Sequence, residues 1–157
     1  MFFDTSDRCI LENRFLVPEN LPIYRISDIS ESNKAKYICI ASRMNERCHV
    51  QHKMGKHADA LRNSEKALKI RLWQLGGDSP DTAASLASVG VILHVMGRHA
   101  EALERKEQAL AIRRRELGES APDTAQSLNS VGVTLHSMGC YPEALARKQE
   151  ALASRRR

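Results

Sequence analysis

From residue 81 to the end of the chain, apolar residues return every three or four positions, the series breaks at a glycine, and it then resumes. In "DTAASLASVGVILHVMG", the residues Ala83, Leu86, Val89, Gly90 and Leu93 fall on one side of a helix. Past Gly97, the stretch "RHAEALERKEQALAIRRREL" does the same with Ala102, Leu103, Ala109, Leu110 and Ile112. Each pair of stretches predicts a helical hairpin, with helix A before the glycine at Gly55, Gly97 or Gly139 and helix B, about 17 residues long, after it. Asp81 after Pro80 and Asp123 after Pro122 are placed to cap the A helices, and Pro142 suits the first turn of a B helix. A glycine inside helix A, at Gly90 and Gly132, costs about 1 kcal/mol against alanine. Close approach of helix B at Ala102 and Ala144 is the expected reason for it.

The hairpins are copies. A shift of 42 residues lays the 35 residues from Asp81 onto those from Asp123 with 24 of 35 positions identical, including "SVGV", "MG" and "EAL". The same shift upstream finds an eroded copy that keeps Met54, Gly55, His57, Ala60, Leu61, Ala67, Leu68, Ile70, Leu75, Gly76 and Pro80. The chain therefore divides into residues 1–38, which match no repeat and stay unassigned, and three repeats over 39–80, 81–122 and 123–157. One hairpin cannot bury its apolar face alone, whereas about three stacked hairpins bury a continuous strip. The expected fold is all-α, a right-handed superhelical solenoid of three helix-turn-helix repeats.

With "ALAIRRRELGESAPDTAQSLNSVG", the linker between the second and third copies resembles the helix-B exit, Leu-Gly turn, Pro-Asp entry and Leu-Asn helix A of the tetratricopeptide repeat, in its 42-residue kinesin-light-chain-like variety. Against that family's pattern three differences stand out. Ser64, Lys106 and Lys148 occupy the middle of helix B, where the family places a large apolar residue, so packing there is expected to use lysine stems or Leu61, Leu103 and Leu145 one turn earlier. The first copy carries Arg47, His49 and Gln51 in place of Val89, Val91 and Leu93, which predicts a weak helix or a polar end cap. Arg157 follows a helix B directly, without the solvating helix of such arrays, which points to a fragment or to an end covered by a partner.

Composition narrows the function classes. Aromatic residues are 4% of the chain, so the core must be built from Leu, Ala, Val, Ile and Met, and 42% apolar with 27% charged residues excludes wholesale disorder. Lys plus Arg exceed Asp plus Glu by 24 to 19, a net charge of +5 that favours a mildly acidic partner. Cys9, Cys39, Cys48 and Cys140 form no C-x-x-C pair, and Cys39 and Cys48 sit half a helical revolution apart, so a reducing, cytoplasmic setting is expected. No apolar run reaches the length of a signal peptide or a membrane span. Phosphate-loop, nucleophile-elbow, H-E-x-x-H and G-x-G-x-x-G motifs do not occur, so neither catalysis nor a cofactor is expected. Cys48, His49 and His52 invite a metal reading, but the recurrence of His52, His94 and His136 follows from the repeat and places these rings on separate turns of the ribbon, so no metal is assigned. The runs Arg113–Arg115 and Arg155–Arg157 raise RNA binding as an alternative; cations in the last turn of a helix also suit its dipole and a solvated face, which makes nucleic acid the weaker reading.

Stacked hairpins line the inner surface of the ribbon with one face of every helix A, at i, i+3, i+7 and i+10. That rule selects Ser42, Asn45, His49 and His52, then Ala84, Ala87, Val91 and His94, then Gln126, Asn129, Val133 and His136. The predicted groove is polar at both ends and apolar in the middle, suited to a peptide with an apolar anchor. The resemblance implies binding of adaptor peptides that combine an aromatic residue with acidic ones. Asn45 and Asn129 stand at the family's Leu-Asn position and Ala87 replaces it in the middle copy. The lysine and arginine clamp for a terminal carboxylate is missing apart from Lys53. The expected function is a noncatalytic protein-interaction module of scaffold or adaptor type, with the sensing array of a larger signalling ATPase as a further alternative.

Overall fold

The computed structural model describes residues 31–156, and every regular element among them is a helix. They are α1 (Glu31–Lys53), α2 (His57–Leu75), α3 (Pro80–Val95), α4 (His99–Leu117), α5 (Pro122–Ser137) and α6 (Tyr141–Arg156). Each A helix, α1, α3 or α5, packs on the B helix that follows it, and α2 and α4 also pack on the next A helix, so the hairpins stack in chain order. α1 begins at Glu31, upstream of the first repeat as the alignment draws it, while Cys9 and most of "FLVPENLPIYRISDIS" lie outside the described residues. α1 is the longest of the six, with 23 residues. Its polarity is as expected: Arg47 and His49 are exposed, and Ala41 and Cys48 are its buried positions.

Three local devices make the hairpins. At the A-to-B turn Gly97 takes φ 78°, a region that a Cβ disfavours, and lets Arg98 N donate to Leu93 O at 2.9 Å and Gly97 N to His94 O at 3.0 Å. These bonds satisfy carbonyls that the end of α3 would otherwise leave open. At the B-to-A linker the Thr82 hydroxyl donates to Gly76 O at 2.8 Å, and Thr124 repeats the bond to Gly118 O at 2.8 Å. The helix-A caps differ from expectation. Pro80 is the first helical residue, so Asp81 falls inside the first turn, and Ser79 is the cap, its Oγ accepting from Asp81 N at 3.3 Å. At α5 the cap position is Ala121, with no side-chain bond, and Asp123 again sits in the first turn. A carboxylate there meets the positive end of the helix dipole instead of replacing a lost partner.

The core is thin and rich in small residues. Ala60, Ala83, Ala102 and Ala109 pack with Leu86, Val89 and Ile92 in one cluster, and Leu110, Leu128, Val131, Leu135, Ala144 and Ala151 form the next. Helices approach closely because of this composition, most of all at Gly90. A Cβ built there would lie 2.7 Å from Lys106 Cγ and 3.2 Å from Ala102 O; at Gly132 the corresponding atoms are Lys148 Cγ at 3.0 Å and Ala144 O at 3.1 Å. Helix B does approach at Ala102 and Ala144, and a lysine stem fills the space of the missing large apolar residue. Of the leucines one turn earlier, Leu61 is buried and Leu103 half-buried, whereas Leu145 is exposed on α6, which no further A helix covers among the described residues.

Arg113 overturns the reading of its run as a solvated face. Only 9% of it is exposed, and its Nη1 donates to Asp123 O at 3.1 Å and Ser127 Oγ at 2.7 Å, hooking α4 to the first turn of α5. Arg71 does the same between α2 and α3, with Asp81 O at 2.9 Å and Ser85 Oγ at 2.8 Å. The end of a B helix lies against the start of the next A helix, so a long cation there can satisfy a carbonyl and a hydroxyl of its neighbour without a carboxylate. The adjacent Arg114 and Arg115 remain toward solvent and pair with Glu119, Glu150, Glu116 and Asp78.

Two stability measurements follow. Arg113→Ala should lower the urea-unfolding free energy by about 2–3 kcal/mol, because it leaves buried polar atoms of α5 without their donor, while Arg115→Ala should stay within about 0.5 kcal/mol. Gly90→Ala should destabilise by about 1–2 kcal/mol despite alanine's better helix propensity, and the loss should shrink in a Lys106→Ala background, where the clashing stem is gone. Equal losses in both backgrounds would show that the lysine stem does not require the glycine.

Candidate functional site

The inner faces of α1, α3 and α5 enclose a cleft of about 560 Å³. Ten of the twelve positions selected from the repeat geometry line it: Asn45, His49 and His52 from α1, Ala84, Ala87, Val91 and His94 from α3, and Gln126, Asn129 and Val133 from α5. The other two lie outside the lining: Ser42 accepts from Arg71 Nη2 at 3.5 Å, and His136 is exposed, with its ring edge-on to Tyr141 at a centroid distance of 5.2 Å. Val91 and Val133 are 40% and 39% exposed, far more than their neighbours Ile92 and Val131, which are closed to solvent. Two half-open valines flanked by Ala84 and Ala87 form an apolar middle, and Asn45 with Gln126 and Asn129 supply amide groups around it.

Cys48, Ser88, Ile92, Lys106, Arg113, Ser127 and Ser130 also line the cleft and were not selected by the helix-A rule. Lys106 and Arg113 come from α4, whose side chains reach between two A helices to form the floor. The sequence did carry a signal for Lys106, since a lysine surrounded at helical spacing by Ala102, Leu103, Ala109 and Leu110 sits on the buried face of its helix. Its ammonium donates to Thr134 Oγ1 at 2.8 Å and to Ser130 O at 3.3 Å, and only 4% of the residue is exposed. Both partners are neutral. Burial pulls its pKa down to about 8.

The histidines sit at the turns in pairs. His52 lies 5.3 Å from His57 and His94 lies 4.9 Å from His99, centroid to centroid, because the last turn of each A helix meets the first residue of its B helix. Burial lowers the His94 pKa, and the nearby Lys106 and His99 add to that effect, so the ring is neutral at pH 7. Burial also pushes the Cys48 thiol up, against a hydrogen bond with Ser64 that lowers it. Cys39, Cys48 and Cys140 are free thiols. Among the described residues no three His, Cys, Asp or Glu side chains gather as a metal-binding set. No described helix is long and apolar enough to cross a membrane.

The sequence pattern of the tetratricopeptide repeat family matches residues 39–114 and 87–157. Among solved structures, the crystal structure of BtubC (BKLC) from P. vanneervenii is similar in fold, with a TM-score of 0.70 and 23% sequence identity. The match covers 74% of this chain and 46% of that one, so this chain spans less than half of its length. A comparison with curated proteins returned no match.

A buried ammonium with neutral partners makes a sharp linkage prediction. Its folded pKa lies below the ordinary value of 10.5, so between about pH 8 and that value the unfolded chain holds the proton more tightly, and stability must rise with pH across that window. Lys106→Met keeps the stem and leaves Thr134 Oγ1 its bond to Ser130 O at 3.1 Å. The variant should be more stable than the natural protein at pH 7, and its advantage should fall by about 3 kcal/mol as the pH is raised through that window. Urea denaturation at a series of pH values measures the difference; an advantage that does not change with pH would contradict it.

Proposed function

Given that this chain belongs to the tetratricopeptide repeat family, whose members serve as protein-interaction modules, we propose that it is a noncatalytic scaffold or adaptor whose partner lays a peptide segment along the cleft between α1, α3 and α5. The observation that carries this reading is the pair Val91 and Val133, two aliphatic side chains half open to solvent in the middle of a concave surface otherwise formed by amides, imidazoles and small residues. A peptide side chain seated over them buries apolar area, and the surrounding polar groups orient its backbone. An extended or helical segment fits such a groove, which runs across three A helices. The net charge of +5, together with a cleft lining that contains no Asp or Glu among the described residues, favours an acidic partner. The free thiols agree with a reducing cytoplasmic setting. Nucleic acid is the weaker alternative, because Arg113 is committed to the α4–α5 contact and Arg114 and Arg115 are paired with carboxylates.

Val91→Glu with Val133→Glu should abolish capture of peptide partners while helical circular dichroism and thermal unfolding stay close to those of the natural protein, since both positions point away from the core. A nuclease-treated pull-down read by mass spectrometry makes the comparison. Partners retained by the double variant, or lost only with nuclease, would move binding off the groove and onto the basic outer surface.

A further inference from the structure

The described residues leave one charge of the cleft without an opposite. Arg113 is held by a carbonyl and a hydroxyl of α5 and is favoured by the nearby Asp123. Lys106 has no such neighbour: its two hydrogen-bond partners are the neutral Thr134 hydroxyl and the Ser130 carbonyl. An ammonium has three N–H donors, so one remains after these two. Buried charges are stable when paired, and an unpaired one in a cleft marks a place where an anion is accepted. The other titratable groups lining the cleft are His49 and His52 from α1, His94 from α3, and Cys48, and none of them is a carboxylate. The repeat supplies an internal contrast: the same position is Ser64 in α2 and Lys148 in α6, and neither lines the cleft.

Resting on the peptide-groove reading, we infer that Lys106 is the specificity-determining residue of the groove and receives one side-chain carboxylate, from an Asp or Glu placed next to the partner's apolar anchor. Lys106 and Val133 line the same cleft, and the ammonium is bonded to Thr134 and Ser130 of the helix that carries Val133, so anchor and acid lie close together in the bound segment. The lone remaining N–H accommodates one carboxylate oxygen, so the preference is for a single acidic side chain at a fixed position instead of diffuse negative charge. Because the ammonium must hold its proton to attract the carboxylate, binding weakens as the pH passes upward through about 8. Over pH 7 to 9 the other groups facing the cleft contribute little: His94 is already neutral, Arg113 stays charged, and the Cys48 thiol is held above its ordinary 9.0.

The test is selection from a random-peptide display library on three proteins, each checked for helical circular dichroism: the natural chain, Lys106→Met, and Val91→Glu with Val133→Glu. The natural chain should enrich peptides with an apolar anchor and one Asp or Glu at a constant spacing from it. Lys106→Met should enrich the same anchor without the acid. If Lys106→Met keeps the acidic position, the inference about Lys106 is overturned while the groove stands. If no peptides are enriched, or the enriched ones bind the valine variant equally well, the groove reading fails and this inference with it. For an enriched acidic peptide, affinity for the natural chain should fall about tenfold from pH 7 to pH 9 and change less than about twofold for Lys106→Met. A flat profile for the natural chain would also overturn it, and a lysine serving only to pack the core would give that result.

Discussion

The contact at Gly90 governs the rest of the molecule. Without a Cβ at that position, α4 comes near enough for the Lys106 stem to lie across α3, and the ammonium then has nowhere to go but the gap between α3 and α5. An alanine would meet the stem at 2.7 Å, so the glycine and the lysine form one device. That device sets the spacing of the hairpin, carries a side chain from the B layer through to the inner surface, and gives the cleft its charge. A large apolar residue in place of Lys106 would pack the same space and leave the floor neutral.

The stack is held by a second recurrent contact, and it differs from the common picture of apolar faces meeting. Arg71 and Arg113 each lie in the last two turns of a B helix and donate to a carbonyl and a serine in the first two turns of the following A helix. Small residues leave little apolar area per contact, so directional hydrogen bonds fix the register that bulky side chains would otherwise set. Thr82 and Thr124 tie the linkers to the same helix starts. The floor of the cleft and the α4–α5 joint are therefore built from side chains two turns apart on one helix, α4, and a change in stacking there alters the groove.

Much of this was legible along the chain. The 42-residue period, the glycines that end each A helix, and the alternation of small and branched apolar residues located the hairpins, because 3.6-residue periodicity and left-handed glycine turns are local properties. The helix-A positions followed from the same geometry, and ten of the twelve selected residues line one cleft. His136 does not, because its ring turns to Tyr141, a choice between rotamers that spacing cannot decide. Asp81 and Asp123 were two residues off as caps, since the preceding proline takes the first helical position and the cap falls on the residue before it.

By itself the sequence determined the hairpins, the glycine turns that join their helices, and the face that α3 and α5 turn inward, since each of these depends on neighbours within one helical period. Which charges are buried was decided by the tertiary structure alone. Arg113, Arg114 and Arg115 are identical in a linear reading, yet the first is closed to solvent against α5 and the others pair at the surface, because only the stacking of the next hairpin distinguishes one side of the helix end from another. Lys106 and Lys148 are likewise the same residue in the same repeat position, and α5 closes over the first while no described helix closes over the second. Burial is a property of the neighbouring element, and with it come the lowered pKa of Lys106 and the chemistry of the cleft.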